Sequence, residues 1–256
     1  MSLVQVEQSA AGIIHVRLNR PEVRNALNLE LRQELAGHFR SFPEREGLRA
    51  VVLSGVGGNF SGGADIADMS PVGAIEMYHR HTERLWGAVA DCPVPVIAAV
   101  EGYALGGGLE LAMLADIIVA DPATRLGQPE ILVGIMPGAG GTQRLLRAAG
   151  KFRAMLLCLT GEIITGPEAA GMGLVSKLVA EGTVRQEAQR LAERIARMPP
   201  VAVAQIKEVI LAGADVPLST ALALERKAVQ ILFASHDKAE GMAAFLEKRR
   251  PNYKGS

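Results

Sequence analysis

"GYALGGGLELAM", residues 102–113, sets three consecutive glycines ahead of an apolar run with a carboxylate in its middle. Glycine weakens helices, and a carboxylate in apolar company is costly, so this placement needs a reason. A glycine run has two readings. It is either a tight turn or a cradle of open N–H groups at a helix start, where the helix dipole favours negative charge. The chain holds a second glycine turn, "SGGAD" at 61–65. Each turn follows a strand pattern and opens a helical one. Two such turns on adjacent strands can aim one N–H each at a single point, and two donors on one oxygen make an oxyanion hole.

Other glycine motifs do not fit. A phosphate loop needs G-x-x-x-x-G-K-[ST] and a dinucleotide fold needs G-x-G-x-x-G near its first strand; neither stands in that context. "NFSGG" around Ser61 approaches the nucleophile elbow G-x-S-x-G, but Asn59 replaces the first glycine. Ser61 therefore reads as a loop residue.

Outward from these turns, strand and helix patterns alternate. "LVQVEQ" and "GIIHVRLN" read as two strands joined by "SAAG". "NLELRQELAGHFRSF" has helical spacing with Asn28 as its cap. "RAVVLSG" (49–55), "VPVIAAVEG" and "DIIVAD" (116–121) are short buried strands, with a helix expected over about 73–90. His79 and His81 fall on that helix, two apart, and read as surface or edge residues. The expected fold class is α/β, in a core over 1–182. From 183 to 256 the texture becomes all-helical, in four successive amphipathic segments.

Composition narrows the function. The chain has 256 residues, enough for a large core, and Lys plus Arg balances Asp plus Glu at 27 each. Zero net charge and few aromatic residues argue against an RNA-binding protein, the non-enzyme alternative. Cys92 and Cys158 read as reduced thiols, and no Cys/His spacing resembles a metal site. The start of the chain lacks the pattern of a secretory signal, and the longest apolar run is too short to span a bilayer. A cytoplasmic protein with no membrane and no nucleic acid partner is expected.

Two acids remain beside the turns. Glu110 follows the second turn within the first helical turn, and Glu130 sits in "LGQPEILVGIMPGAGGTQR" between Pro129 and Pro137. Each reads either as an ordinary helix-start or loop acid, or as half of an acid/base pair whose apolar surroundings raise a carboxyl pKa. Gly138, Gly140 and Gly141 lead into a helix near Thr142, another N-terminus that can point inward.

"NRPEVRNALN", "FSGGADIADM", "PVIAAVEGYALGGGLELAMLADIIVA", "GQPEILVGIMPGAGGTQRL" and "GMAAFLEKRRPNYKG" together resemble the enoyl-CoA hydratase/isomerase (crotonase) superfamily, over nearly the whole chain. The resemblance implies a spiral of ββα units followed by a C-terminal helical trimerisation region, as a homotrimer or dimer of trimers. It implies an enoyl-CoA hydratase, a hydro-lyase acting on an acyl-CoA thioester, with no cofactor beyond the coenzyme A of the substrate and no metal. Position by position, Ala64 and Gly107 correspond to the oxyanion-hole donors and Glu110 and Glu130 to the catalytic acids. Arg24, Asn25, Ala26, Asp65, Ile66 and Gly138 correspond to the substrate and CoA surface. Phe245 and Lys248 correspond to further CoA contacts, reaching a neighbour's site. Ser61-Gly62-Gly63 and Leu109 depart from the usual pattern without removing a donor or an acid. Two alternatives within the family are a Δ3–Δ2 enoyl-CoA isomerase and a 2,3-dehydroadipyl-CoA hydratase of phenylacetate degradation, which the C-terminal stretch and "GIMPGAGGTQR" resemble.

Overall fold

The computed structural model describes residues 2–256. Strands β1 (Val4–Gln8) and β2 (Ile13–Leu18) pair antiparallel as the opening hairpin. Helix α1 (Leu29–Ser41) follows, and the Asn28 side chain accepts from Leu31 N at 3.0 Å, the expected cap. Then come β3 (Ala50–Gly55), three short helices α2 (Ile66–Met69), α3 (Ala74–His79) and α4 (Thr82–Ala90), and β4 (Val96–Val100). The glycine stretch supplies β5 (Tyr103–Leu105) and α5 (Gly107–Ala112). Beyond it lie β6 (Ile117–Ala120), β7 (Arg125–Gly127), α6 (Gly141–Ala149), α7 (Lys151–Thr160), β8 (Ile163–Thr165), α8 (Gly166–Gly171) and β9 (Lys177–Leu178). Helices α9 (Val184–Ala196), α10 (Pro200–Gly213), α11 (Leu218–Leu232) and α12 (His236–Leu246) complete the chain.

The six-stranded sheet runs β1-β2-β3-β4-β6-β9, parallel from β2 onward; β5, β7 and β8 form a smaller sheet beside it. Strand periodicity sorts the core into two faces. Val16, Leu18, Val51, Leu53, Ala98 and Val100 face the main core with Leu31, Leu35 and Phe39 of α1. Ile13, Ala50, Val52, Ile97 and Ala99 face the other way, onto Val184, Ala188 and Ala192 of α9. From Val184 onward the chain forms helices, and the first of them is packed on the sheet.

The helix expected over 73–90 is broken. His81 takes a left-handed backbone, φ 43°, between α3 and α4, so His79 and His81 do not share a helix. The last helices bury little: α10 buries none of its side chains and α11 only Ala228, while Ile206, Ile210, Leu222, Ile231 and Phe233 are exposed. Among the described residues no helix is long and apolar enough to cross a membrane.

Candidate active site

The two glycine turns meet. Ser61 and Ala104 form a parallel bridge, as do Leu27 and Ala64, which brings the 61–65 loop alongside β5. Gly63 takes φ +106°, and a Cβ there would stand 2.7 Å from Leu105 O, so only glycine fits the crossing. Ser61 is fully buried and locks the loop: its Oγ donates to Asn25 O at 2.8 Å and accepts from Gly63 N at 3.2 Å. It has no role open to a nucleophile.

Beyond this crossing the chain leaves two amides free. Among the described residues, neither Ala64 N nor Gly107 N donates to a protein acceptor. They are close neighbours: a Cβ built on Gly107 would lie 3.7 Å from Ala64 N and 4.0 Å from Glu110 Oε2. Gly107 is the first residue of α5, where an N–H has no intrahelical acceptor.

Glu110 is 3% exposed, against the reading of an ordinary solvated helix-start acid. Its Oε1 accepts from Ala139 N and Gly141 N, each at 2.7 Å. The glycine-rich entry to α6 therefore does aim its N–H groups inward, and Oε2 is left toward Gly107. Burial raises the Glu110 pKa, opposed by those two amides and by the charges of Arg32 and Arg144.

Glu130 stands on a short 3-10 turn, Pro129–Val133, half-buried and not solvated like a loop acid. Its carboxylate faces Gly106, where a Cβ would come within 3.0 Å of Oε1. Burial, aided by the charge of Glu110, pushes its pKa up to about 7 against the pull of its own backbone N–H. Gln128, fully buried, donates to Glu130 Oε1 at 2.9 Å and Oε2 at 3.1 Å with its amide nitrogen turned inward.

Ala64, Gly107, Glu110, Glu130 and Gly138 line one cavity of about 430 Å³, walled further by Arg32, Met69, Met77 and Trp86. The other expected binding residues lie elsewhere on the surface or are spent internally. Arg24 is exposed and in a left-handed turn, its guanidinium 5.0 Å from the Tyr103 ring; Ala26 is half-buried and Ile66 is 50% exposed. Asn25 is not a surface residue: fully buried, it accepts from Arg20 N and donates to Val56 O and Asn59 O. Asp65 caps α2 and pairs with Arg20 at 3.0 Å. Phe245 is 82% exposed on α12, and Lys248 follows in a left-handed turn.

The sequence model of the enoyl-CoA hydratase/isomerase family matches residues 8–256. The chain belongs to the enoyl-CoA hydratase/isomerase family. It is similar to a probable enoyl-CoA hydratase of Rhizobium meliloti (strain 1021), with 42% identity over 99% of this chain and 98% of the relative. It is 40% identical to the 2,3-dehydroadipyl-CoA hydratase of Escherichia coli (strain K12), over 95% of each. A crystal structure of enoyl-CoA hydratase from Bacillus anthracis superposes with a TM-score of 0.95 at 37% identity over 100% of both chains. These likenesses carry the α/β fold with its helical C-terminal region.

Gln128 and Arg32 are the polar side chains that sequence reasoning passed over. Gln128 follows β7 directly before Pro129-Glu130. Arg32 had a readable cue: with Ala36 and Phe39 it falls at i, i+4, i+7, a charge on the buried face of α1.

Proposed function

We propose that this enzyme adds water reversibly across the double bond of a 2-enoyl-CoA thioester, giving a 3-hydroxyacyl-CoA. The observation that carries this reading is the pair of unspent amides, Ala64 and Gly107, in one cavity with Glu110 and Glu130.

Attack of water at the β-carbon drives an electron pair through the conjugated system onto the thioester oxygen. Donors from Ala64 and Gly107 stabilise that charge more in the transition state than in the ground state. Glu110 is the better base. Two backbone N–H groups on Oε1 and the fields of Arg32 and Arg144 favour its ionised form, which leaves Oε2 to take a proton from water. Glu130 is the better acid. Burial, aided by the charge of Glu110, lets Glu130 keep its proton to about pH 7 and give it to the α-carbon as the enolate collapses. The two carboxyls then hold the opposite protonation states, and a proton passing from Glu110 to Glu130 restores the site. These steps balance with protein groups and water alone.

Arg24, Ala26 and Ile66 on the surface outside the cavity, and Gly138 within it, offer contacts to the CoA portion, with the Asp65–Arg20 pair holding the loop. The exposed apolar side chains of α10 and α11 support self-assembly into a homotrimer or a dimer of trimers, in which Phe245 and Lys248 serve a neighbouring site. We place the enzyme in the cytoplasm.

The test is turnover of a short 2-enoyl-CoA, followed by loss of the conjugated-thioester absorbance, beside its 3-enoyl isomer. Hydration of the 2-enoyl substrate supports the reading; conversion of the 3-enoyl ester alone would make the chain an isomerase instead.

A further inference from the structure

The cavity contains a cation that the hydration steps leave without a partner of its own. Arg32 of α1 lines the same cavity as the two glutamates. Its Nε is buried and unpartnered, and among the described residues the guanidinium makes no hydrogen bond or ion pair within 4.0 Å. Guanidinium stays charged in proteins, and a buried charge without a hydrogen-bonded partner is unfavourable. Burial accordingly lowers the Arg32 pKa, opposed at longer range by Asp68, Glu110 and Asp65.

Those acids are otherwise engaged. Asp65 is paired with Arg20 at 3.0 Å and Asp68 with Arg80 at 3.2 Å. Glu110 spends Oε1 on Ala139 and Gly141. Arg32 instead lies over the ring of Trp86, its Cζ 5.6 Å from the centroid, a contact that fixes the side chain but leaves its donors open.

Position says what those donors would meet. With the thioester oxygen at Ala64 and Gly107 and the double bond between the glutamates, the acyl chain beyond the β-carbon runs along the remaining wall. That wall includes Met69, Met77, Trp86 and Arg32, with Thr82, Ile135 and Met136 completing the lining, and Arg32 is the one charged side chain on it. The methionines and the ring accommodate methylenes. A guanidinium fork at this wall matches a carboxylate in two-point geometry.

We infer that Arg32 is a specificity-determining residue that binds a terminal carboxylate on the acyl chain, making a monothioester of a 2-enedioic acid the preferred substrate class. This inference rests on the hydratase reading and sharpens it. A neutral acyl chain of the same length would leave the guanidinium desolvated and unpaired, which is the penalty that separates the two substrates.

The experiment compares trans-2-hexenoyl-CoA with its ω-carboxylated six-carbon counterpart on the wild-type chain, Arg32→Met and Arg32→Lys. The wild type is expected to show the higher kcat/KM for the carboxylated ester. Arg32→Met should erase the preference, cutting the ratio of kcat/KM for the carboxylated ester over hexenoyl-CoA about 10-fold or more, whatever the lost field on Glu110 takes from both esters alike. Arg32→Lys should recover part of the preference, as a point charge without the fork. Trp86 is the only tryptophan, so its emission should respond to the saturated six-carbon ω-carboxylated CoA ester and far less to hexanoyl-CoA. Equal kcat/KM for the two esters in the wild type overturns the inference. So does an Arg32→Met variant that keeps the wild-type ratio of kcat/KM between the two esters, because Arg32 would then act through Glu110 alone. Failure of the wild type to hydrate either ester would instead overturn the hydratase reading itself.

Discussion

Glu110 and Gly141, 31 residues apart, are joined by a 2.7 Å hydrogen bond from the glycine amide to the buried carboxylate. That bond fixes which oxygen of Glu110 is held and which is free. A Cβ at Gly141 would stand 2.8 Å from Glu110 Oε1 and 2.7 Å from the side-chain amide of Gln128. Gly141→Ala should therefore push the carboxylate aside. Steady-state kinetics should show kcat down about 10²-fold, since small misplacements of a catalytic group cost that much.

Removing the acids is the direct test. Glu110→Gln and Glu130→Gln should each lower kcat by about 10²–10⁴-fold, the usual range for a general acid or base, with KM little changed. Near-normal turnover in both variants would refute the assignment of the pair.

Gly107→Ala separates donor placement from folding. The new methyl would make only ordinary contacts, 3.6 Å from Leu27 Cδ1 and 3.7 Å from Ala64 N, so the melting temperature should hold. The methyl nevertheless stands where the substrate oxygen must approach. We expect kcat/KM to fall about 10²–10³-fold, comparable to losing one oxyanion donor.

Glu130 also couples stability to pH. Its folded pKa, about 7, lies above its ordinary value, because burial penalises the charged form. A raised carboxyl pKa means stability is full below the unfolded value and is lost as pH rises through 7. Glu130→Gln removes that ionisation. Thermal melts should find the variant more stable than wild type at pH 8, with the advantage shrinking as pH falls toward 4.5. An advantage independent of pH would contradict the assigned shift.

Asn25 holds the loop beneath the donors. It sits at φ 56° and bonds three backbone groups, on Arg20, Val56 and Asn59. Asn25→Ala strands those groups and puts alanine in a left-handed conformation. Chemical denaturation should show a loss of about 3 kcal/mol.

The α/β pattern was legible because strand alternation and helix spacing are local and strong, as in β2, β3 and α1. The break at His81 was not, because no glycine or proline marks it. The site was legible where chemistry requires a residue type: glycines at the crossing, and acids among apolar neighbours. Asn25 looked like a loop-surface residue because its partners, at Val56 and Asn59, come from 31 and more positions away. The cue for Arg32, its spacing from Ala36 and Phe39, was outweighed by its setting in a charge-rich helix, and the packing against Trp86 gives its direction.

The donors from Ala64 and Gly107 belong to the main chain. No side-chain exchange short of proline, which lacks the N–H, can abolish them, and no inventory of reactive side chains would find them. At these two positions heredity is constrained by volume instead of polarity. A saturation library should therefore rank substitutions there by size, with serine faring no better than its bulk allows, whereas at Glu110 and Glu130 isosteric replacements should fail despite fitting perfectly.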